Sequence, residues 1–295
     1  MDTNRELLLR DNFDYDFDKY RTWSSVISHS SDQVTLAAKL TAAYHSLEKG
    51  LTIEQPRAEF GRAKVNFIIH AIKSLEKFHD EHGMVLSADF DDELRKIVGE
   101  MKFTPKEVQE ATAFDYTRFV QARHSVRHYN GESISPDQIK LAVARAIHTP
   151  QTVNRKTRRV YAAYDPELRE ELLSYQRGNI GFGPKLGAVL VVTSDLREFD
   201  IIGERNQAWV DGGLSAMSLN FALHASGLGT CMLNWSTEKE QDKALRSAFE
   251  IPEYEIIITM LCVGGLPEFL HVAASPAPVA DDILSVIKSR KIKKE

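Results

Sequence analysis

Residues 211–229, DGGLSAMSLNFALHASGLG, decide how the second half of the chain is read. Apolar side chains recur here on nearly every side of a helix, whereas a helix laid on a surface shows one apolar stripe. The pattern predicts a helix packed against protein on most sides, closed by Gly227 and Gly229. An extended segment, TCMLNW at 230–235, follows it. A helix of this kind needs apolar partners, and the chain supplies them on both flanks. Leu186–Thr193, LGAVLVVT, and Glu255–Val263, EIIITMLCV, are short continuous apolar runs, as expected of strands covered on both faces. Arg158–Tyr164, RRVYAAY, alternates like a strand with one open face. Ser135-Pro136-Asp137-Gln138 is a capping box with proline at the first helical position, and Ile139, Val143, Ala146 and Ile147 follow at core-facing spacing. Helices and strands interleave, which is the pattern of an α/β or α+β domain.

The first half differs. Ser31-Asp32 can cap a helix through VTLAAKLTAAYHSLEKGL, with Gly50 as its stop. Val65, Ile68, Ile69, Ile72, Leu75 and Phe78 set a second apolar stripe ending at Gly83. Asp91-Asp92 opens a third helix and Thr104-Pro105, with Glu107 after it, a fourth. No strand pattern appears before residue 115. Residues 1–114 are expected to form a helical extension and residues 115–295 the domain that carries the sheet.

Composition narrows the classes of function. The chain has 295 residues, 43% hydrophobic and 27% charged, with formal net charge −5. That describes a globular protein without the basic field of a nucleic-acid binder. No run of about eighteen apolar residues marks a membrane span, and the N-terminal stretch has no export core. Two cysteines, Cys231 and Cys262, both in apolar surroundings, suit a reducing compartment, so a cytoplasmic location is expected. The closing KSRKIKKE reads as a solvated tail.

Chemistry is concentrated at 121–129, QARHSVRHY. Two arginines, two histidines and a serine within seven positions offer forked and single donors suited to phosphate oxygens. A solvated helix-end charge cluster is the alternative for that stretch taken alone. Three other stretches join it: TPQTVN at 149–154, ASGLGTCMLNW at 225–235 and CVGGLP at 262–267. In this order and at these intervals the four resemble the nitroreductase family of FMN-dependent flavoproteins, over roughly residues 118–295. The resemblance implies an α+β fold, a mixed sheet flanked by helices, here preceded by the helical extension. It implies that Arg123, His124, Ser125 and Arg127 hold the FMN phosphate and ribityl chain, with Arg127 near the pyrimidine edge. Gln151 and Asn154 would approach the ring system, Leu233 and Asn234 would turn backbone groups to its reactive edge, and Gly264 and Gly265 would pass near the phosphate. It further implies a homodimer with the flavin at the subunit interface, NAD(P)H as hydride donor and a small electron-poor acceptor. A flavin-binding sensor or carrier without turnover is the alternative. No catalytic side chain and no metal ligand is expected.

Two departures stand out. The family's Q-P-W reads Lys156-Thr157-Arg158 here, and no cation follows His271 where relatives usually bring one to the phosphate. Arg155, Lys156, Arg158 and Arg159 either replace that arm or form a solvated basic loop. Other signals are set aside. GNIGFG at 178–183 runs into a strand, opposite to a dinucleotide fingerprint. His79 and His82 sit at a fraying helix end. His45 and Glu48 share a helix face and are read as a polar contact to the core. Cys231 is read as packing.

Overall fold

The computed structural model describes residues 3–24, 35, 38–44, 47, 63–71, 73, 104–180, 185–270, 272–273 and 278–287. Its elements run α1 (Thr3–Trp23), α2 (Pro105–Ala111), α3 (Tyr116–Ala122), α4 (Pro136–Ala146), β1 (Arg158–Ala163), α5 (Pro166–Ser174), β2 (Ala188–Asp195), α6 (Gln207–Ala225), β3 (Leu228–Asn234), α7 (Lys239–Phe249), β4 (Glu255–Gly265) and α8 (Ala280–Ile283). Residues 38–44 and 63–71 are also helical. The stretches holding His45, Glu48, His79, His82, the helix expected after Asp91 and His271 lie outside the described residues.

Among the described residues four strands form one sheet in the order β1-β2-β4-β3, and the three pairings are antiparallel. Among the described residues the parallel component of the expected mixed sheet is a single bridge from Ser125 to Thr230. Strand β2 shows why residues 188–192 are apolar at every position. Ala188, Leu190 and Val192 face a core shared with Ile139 and Ala142 of α4 and Ala216, Leu219 and Leu223 of α6. Val189 and Val191 face the opposite core, with Leu172 and Leu173 of α5 and Leu245 of α7. The result is a three-layer α+β domain with the sheet in the middle.

Helix α6 is buried on its sheet side but not all round. Ser215, Ala216, Leu219, Ala222 and Leu223 are covered, while Trp209, Val210 and Leu214 stay exposed. The all-round apolar pattern therefore leaves one stripe of this chain uncovered. Near its start α6 crosses β4 so closely that a Cβ on Gly212 would overlap the Ile258 side chain. Gly212→Ala is expected to destabilise the fold by about 1–3 kcal/mol through overpacking, measurable as a lower midpoint in urea.

Helix α1 packs onto the domain instead of standing apart. Its Tyr20 and Trp23 lie against the small cluster of Leu196, Phe199, Ala208 and Ile256, and Trp23 meets Tyr254 edge-on. Polar contacts fix its rotation. Asp242 of α7 accepts from Tyr15 at 2.8 Å and Lys19 at 3.1 Å, and Asn12 accepts from the Lys239 backbone at 2.7 Å.

Candidate functional site

Helix α3 delivers the donor-rich stretch to the sheet. It is fastened to the C-terminal end of α6 by Phe119, whose ring lies 4.8 Å from that of His224 and whose carbonyl is 3.1 Å from His224 Nε2. Arg123 terminates α3, and the chain then runs extended along the free side of β3. There Val126 N donates to Thr230 O at 2.8 Å, and at the far end Asn130 N donates to Gly265 O at 3.1 Å. Tyr129 is buried between them, its hydroxyl on the Val126 carbonyl at 2.7 Å, and burial pushes its pKa up so that it stays a donor.

Arg123, Ser125 and Arg127 converge around Cys231 of β3. Burial raises the pKa of the Cys231 thiol, while Arg127, the Ser125 hydroxyl and Arg123 pull it partly back. Cys231 and its cross-strand partner Cys262 are both buried and unbonded to each other, as expected of packing residues. Neither Arg123 nor Arg127 meets a carboxylate among the described residues. Arg127 Nη1 donates to the Ser125 carbonyl at 3.3 Å. His124 is half-buried beside them.

Gly264 and Gly265 end β4 against this segment. A Cβ on Gly264 would collide with the Tyr129 ring and one on Gly265 with the Asn130 amide. Their missing side chains let residues 129 and 130 close over the strand. Leu233 is buried and Asn234 is exposed at the end of β3, where the Asn234 carbonyl accepts from Gln176 Nε2 at 2.7 Å.

Gln151 and Asn154 fall elsewhere. The turn Thr152–Asn154 holds Val153 at φ 43° and Asn154 at φ 57°. Asparagine tolerates the left-handed region, but a β-branched valine there is strained. Asp211, 1% exposed, over-determines the turn by accepting from Thr152 N at 3.0 Å, Thr152 Oγ1 at 3.2 Å and Gln207 Nε2 at 3.0 Å. Nothing in the local sequence advertises this partner, which is 59 residues away. Asn154 is exposed, and the Gln151 Oε1 is buried without a hydrogen-bond partner. A cavity of about 750 Å3 opens beside them, bordered also by Lys156, Ser215 and Tyr44.

One chain thus keeps the two groups apart. The strained turn leads into β1, one edge of the sheet, while Arg123–Arg127 border β3, the other edge. Along α6 they attach at Asp211 and His224, a separation of about 20 Å at helical rise.

The basic residues after Asn154 are not a wholly solvated loop. Arg155 is buried and ion-paired to Asp200 at 2.5 Å and Glu204 at 2.7 Å. Arg158 donates to the Thr149 and Ile147 carbonyls, and Arg159 to those of Lys156 and Arg158. Lys156 alone of the four is exposed. These arginines hold the turn and the edge strand in place. Among the described residues no group of three or more metal-ligating side chains occurs, and no helix is long and apolar enough to cross a membrane.

The nitroreductase family pattern matches residues 120–193 and 182–265. Among solved structures, a Bacillus subtilis protein assigned to the nitroreductases is 15% identical, with 58% of this chain covering 98% of that one at a TM-score of 0.52. A nitroreductase-like protein of Streptococcus mutans is 19% identical, at 59% and 98% coverage and a TM-score of 0.51. A Clostridium acetobutylicum protein named as an NADH oxidase is 17% identical, at 58% and 99% coverage and a TM-score of 0.50. At such identities these likenesses show the fold. No curated protein sequence matches the chain. Fold, ordered motifs and matched spans agree: the chain belongs to the nitroreductase family, through residues 120–265.

Proposed function

We propose that this chain is an FMN-dependent oxidoreductase that uses NADH or NADPH to reduce a small electron-poor acceptor, such as a nitroaromatic or a quinone. The observation that carries this reading is the convergence of Arg123, Ser125 and Arg127 at the β3 edge with no carboxylate among the described residues to neutralise the guanidinium groups. A phosphate monoester fits that donor set, because forked guanidinium donors and a hydroxyl match its oxygens and its charge. His124 adds a ring nitrogen. The backbone at Gly264 and Gly265 borders the same segment, and Leu233 and Asn234 end the strand beside it. The bound flavin supplies the two-electron chemistry. The chain's part is to seat the phosphate, to hold the Arg127 cation by the ring's pyrimidine side, and to exclude water from the slot. No side chain is assigned as an acid or base. Two free buried thiols fit a reducing compartment such as the cytoplasm.

The second group, Gln151 and Asn154, reaches a flavin most simply in a homodimer. A twofold axis at the middle of α6, with the two α6 helices antiparallel, sets the partner's N-terminal half of α6 beside this chain's C-terminal half. It would carry the partner's strained turn toward this chain's Arg123. The exposed Val210 and Leu214, with open space over Gly213, are the surface such a pairing would bury. Leu214→Glu is expected to give a monomer in light scattering and to lower flavin content at least tenfold. A flavin-loaded monomer would contradict the shared site.

Anaerobic addition of NADH and of NADPH to the purified protein tests the activity. Bleaching of the flavin bands with either donor is expected. Bound flavin that stays oxidised with both would contradict turnover and favour a flavin carrier or sensor.

A further inference from the structure

Helix α1 and the domain enclose a second cavity, of about 720 Å3, that the phosphate and flavin assignments leave unused. It lies at the end of the sheet where β3 stops and β4 begins. Phe13, Phe17 and Tyr20 of α1 form one wall, Trp209 of α6 and Trp235 after β3 the others, and Ile256 and Ile257 of β4 the floor. Trp235 directly follows Leu233 and Asn234, so the cavity begins beside the residues assigned to the reactive edge of the ring.

The α1 wall is fixed in place. Asp242, 7% exposed, accepts from Tyr15 at 2.8 Å and Lys19 at 3.1 Å on α1, from Trp235 Nε1 at 2.8 Å, and from Arg246 Nε at 2.6 Å. One carboxylate thereby sets α1 and Trp235 relative to each other. Against this rigid frame the aromatic side chains are left open: Phe13 is 65%, Phe17 60% and Trp209 45% exposed. Arg205, also at the cavity, has no ion-pair partner among the described residues. The volume falls within the roughly 300–1,000 Å3 of sites that take small organic ligands. Flat aromatic walls favour a flat aromatic ligand, and the exposed Arg205 guanidinium, a donor only, favours one with an oxygen acceptor.

We propose that this cavity binds an aromatic molecule of two or more fused rings bearing a carbonyl oxygen, with α1 as its outer wall. Resting on the flavin reading above, it is the seat of the acceptor, so the helical extension selects acceptors larger than a single ring.

The test is a titration of the full-length protein with 9-fluorenone, three fused rings and one carbonyl, and with acetophenone, one ring and one carbonyl, read by tryptophan emission. Two of the three tryptophans line the cavity. Saturable quenching by fluorenone, at least tenfold tighter than any by acetophenone, is expected. The Phe13→Ala/Phe17→Ala variant, altered only at exposed positions, should keep its fold and lose tenfold or more in fluorenone affinity. Fluorenone binding that is not saturable, or that is equal in wild type and variant, would overturn the site. A variant that dissociates a wild-type oligomer would also overturn it, because a second copy would then cover this face. Flavin content of the same samples separates the two readings. Quenching with no flavin overturns the acceptor role alone, and full flavin without quenching overturns the cavity.

Discussion

Arg123→Ala and Arg127→Ala are each expected to weaken FMN binding by about 10–100-fold, and the double variant by more. A hydrogen bond to a charged group contributes about 1.5–3 kcal/mol, and 1.4 kcal/mol is a factor of ten. Both guanidinium groups lack a carboxylate partner among the described residues, so their removal strands no buried charge, and thermal stability without flavin should hold. That separates a lost ligand contact from a damaged fold. Arg127→Lys should fall between, since it keeps the charge and loses the fork. Quenching of flavin fluorescence on titration gives the affinities. Wild-type affinity in both alanine variants would contradict the phosphate assignment.

The larger effect on stability is expected at Asp242. Asp242→Ala leaves Arg246, whose side chain is 4% exposed, and Lys19, 10% exposed, without their counter-charge. Breaking a buried pair from one side costs about 3–5 kcal/mol, a fall in Tm on the order of 10 °C. Acidity acts through the same group. Burial alone would push the Asp242 carboxyl up, but the Arg246 hydrogen bond, Lys19 and Trp235 outweigh it and hold the carboxyl well below its ordinary range. A carboxyl depressed in the native state contributes stability that is complete above its unfolded pKa of about 3.9 and is lost as pH falls toward the native value. Wild-type stability should therefore drop on acidification below about pH 4, and Asp242→Ala should lack that part of the drop. Parallel acid-dependent profiles for the two proteins would show that the carboxylate does not carry the contact.

The strands and α6 were legible in the sequence because a sheet covered on both faces favours unbroken apolar runs, as at 188–192 of β2 and 260–263 of β4. The capping box at Ser135 and the cap-then-proline signal at Thr104 stand as expected, and at both the side chain and backbone are bonded reciprocally. Helix α5 opens with the same cap-then-proline signal at Asp165-Pro166, where Asp165 accepts from Glu167 N and Leu168 N, although no helix was expected there. Helix α7 has weaker punctuation. Its N-cap, Glu238, makes no side-chain bond, and it ends on Glu250 in the left-handed region, where glycine would normally mark the stop. The four site motifs were visible as short strings, but their grouping was not. Strand order, fixed by long-range pairing, puts Asn154 and Arg123 on opposite edges, and local sequence carries no trace of it. The same holds for Arg155, whose basic neighbourhood hides its partners Asp200 and Glu204 some 45 and 49 residues later. The docking of α1 depends on Asp242, 227 residues from Tyr15.

Mass spectrometry of the purified protein under non-denaturing conditions, after incubation with excess FMN and desalting, bears most directly on the account. It predicts one FMN per chain on a dimer, and none on the Arg123→Ala/Arg127→Ala variant. Wild-type protein that retains no FMN, or a variant that retains as much, would contradict it.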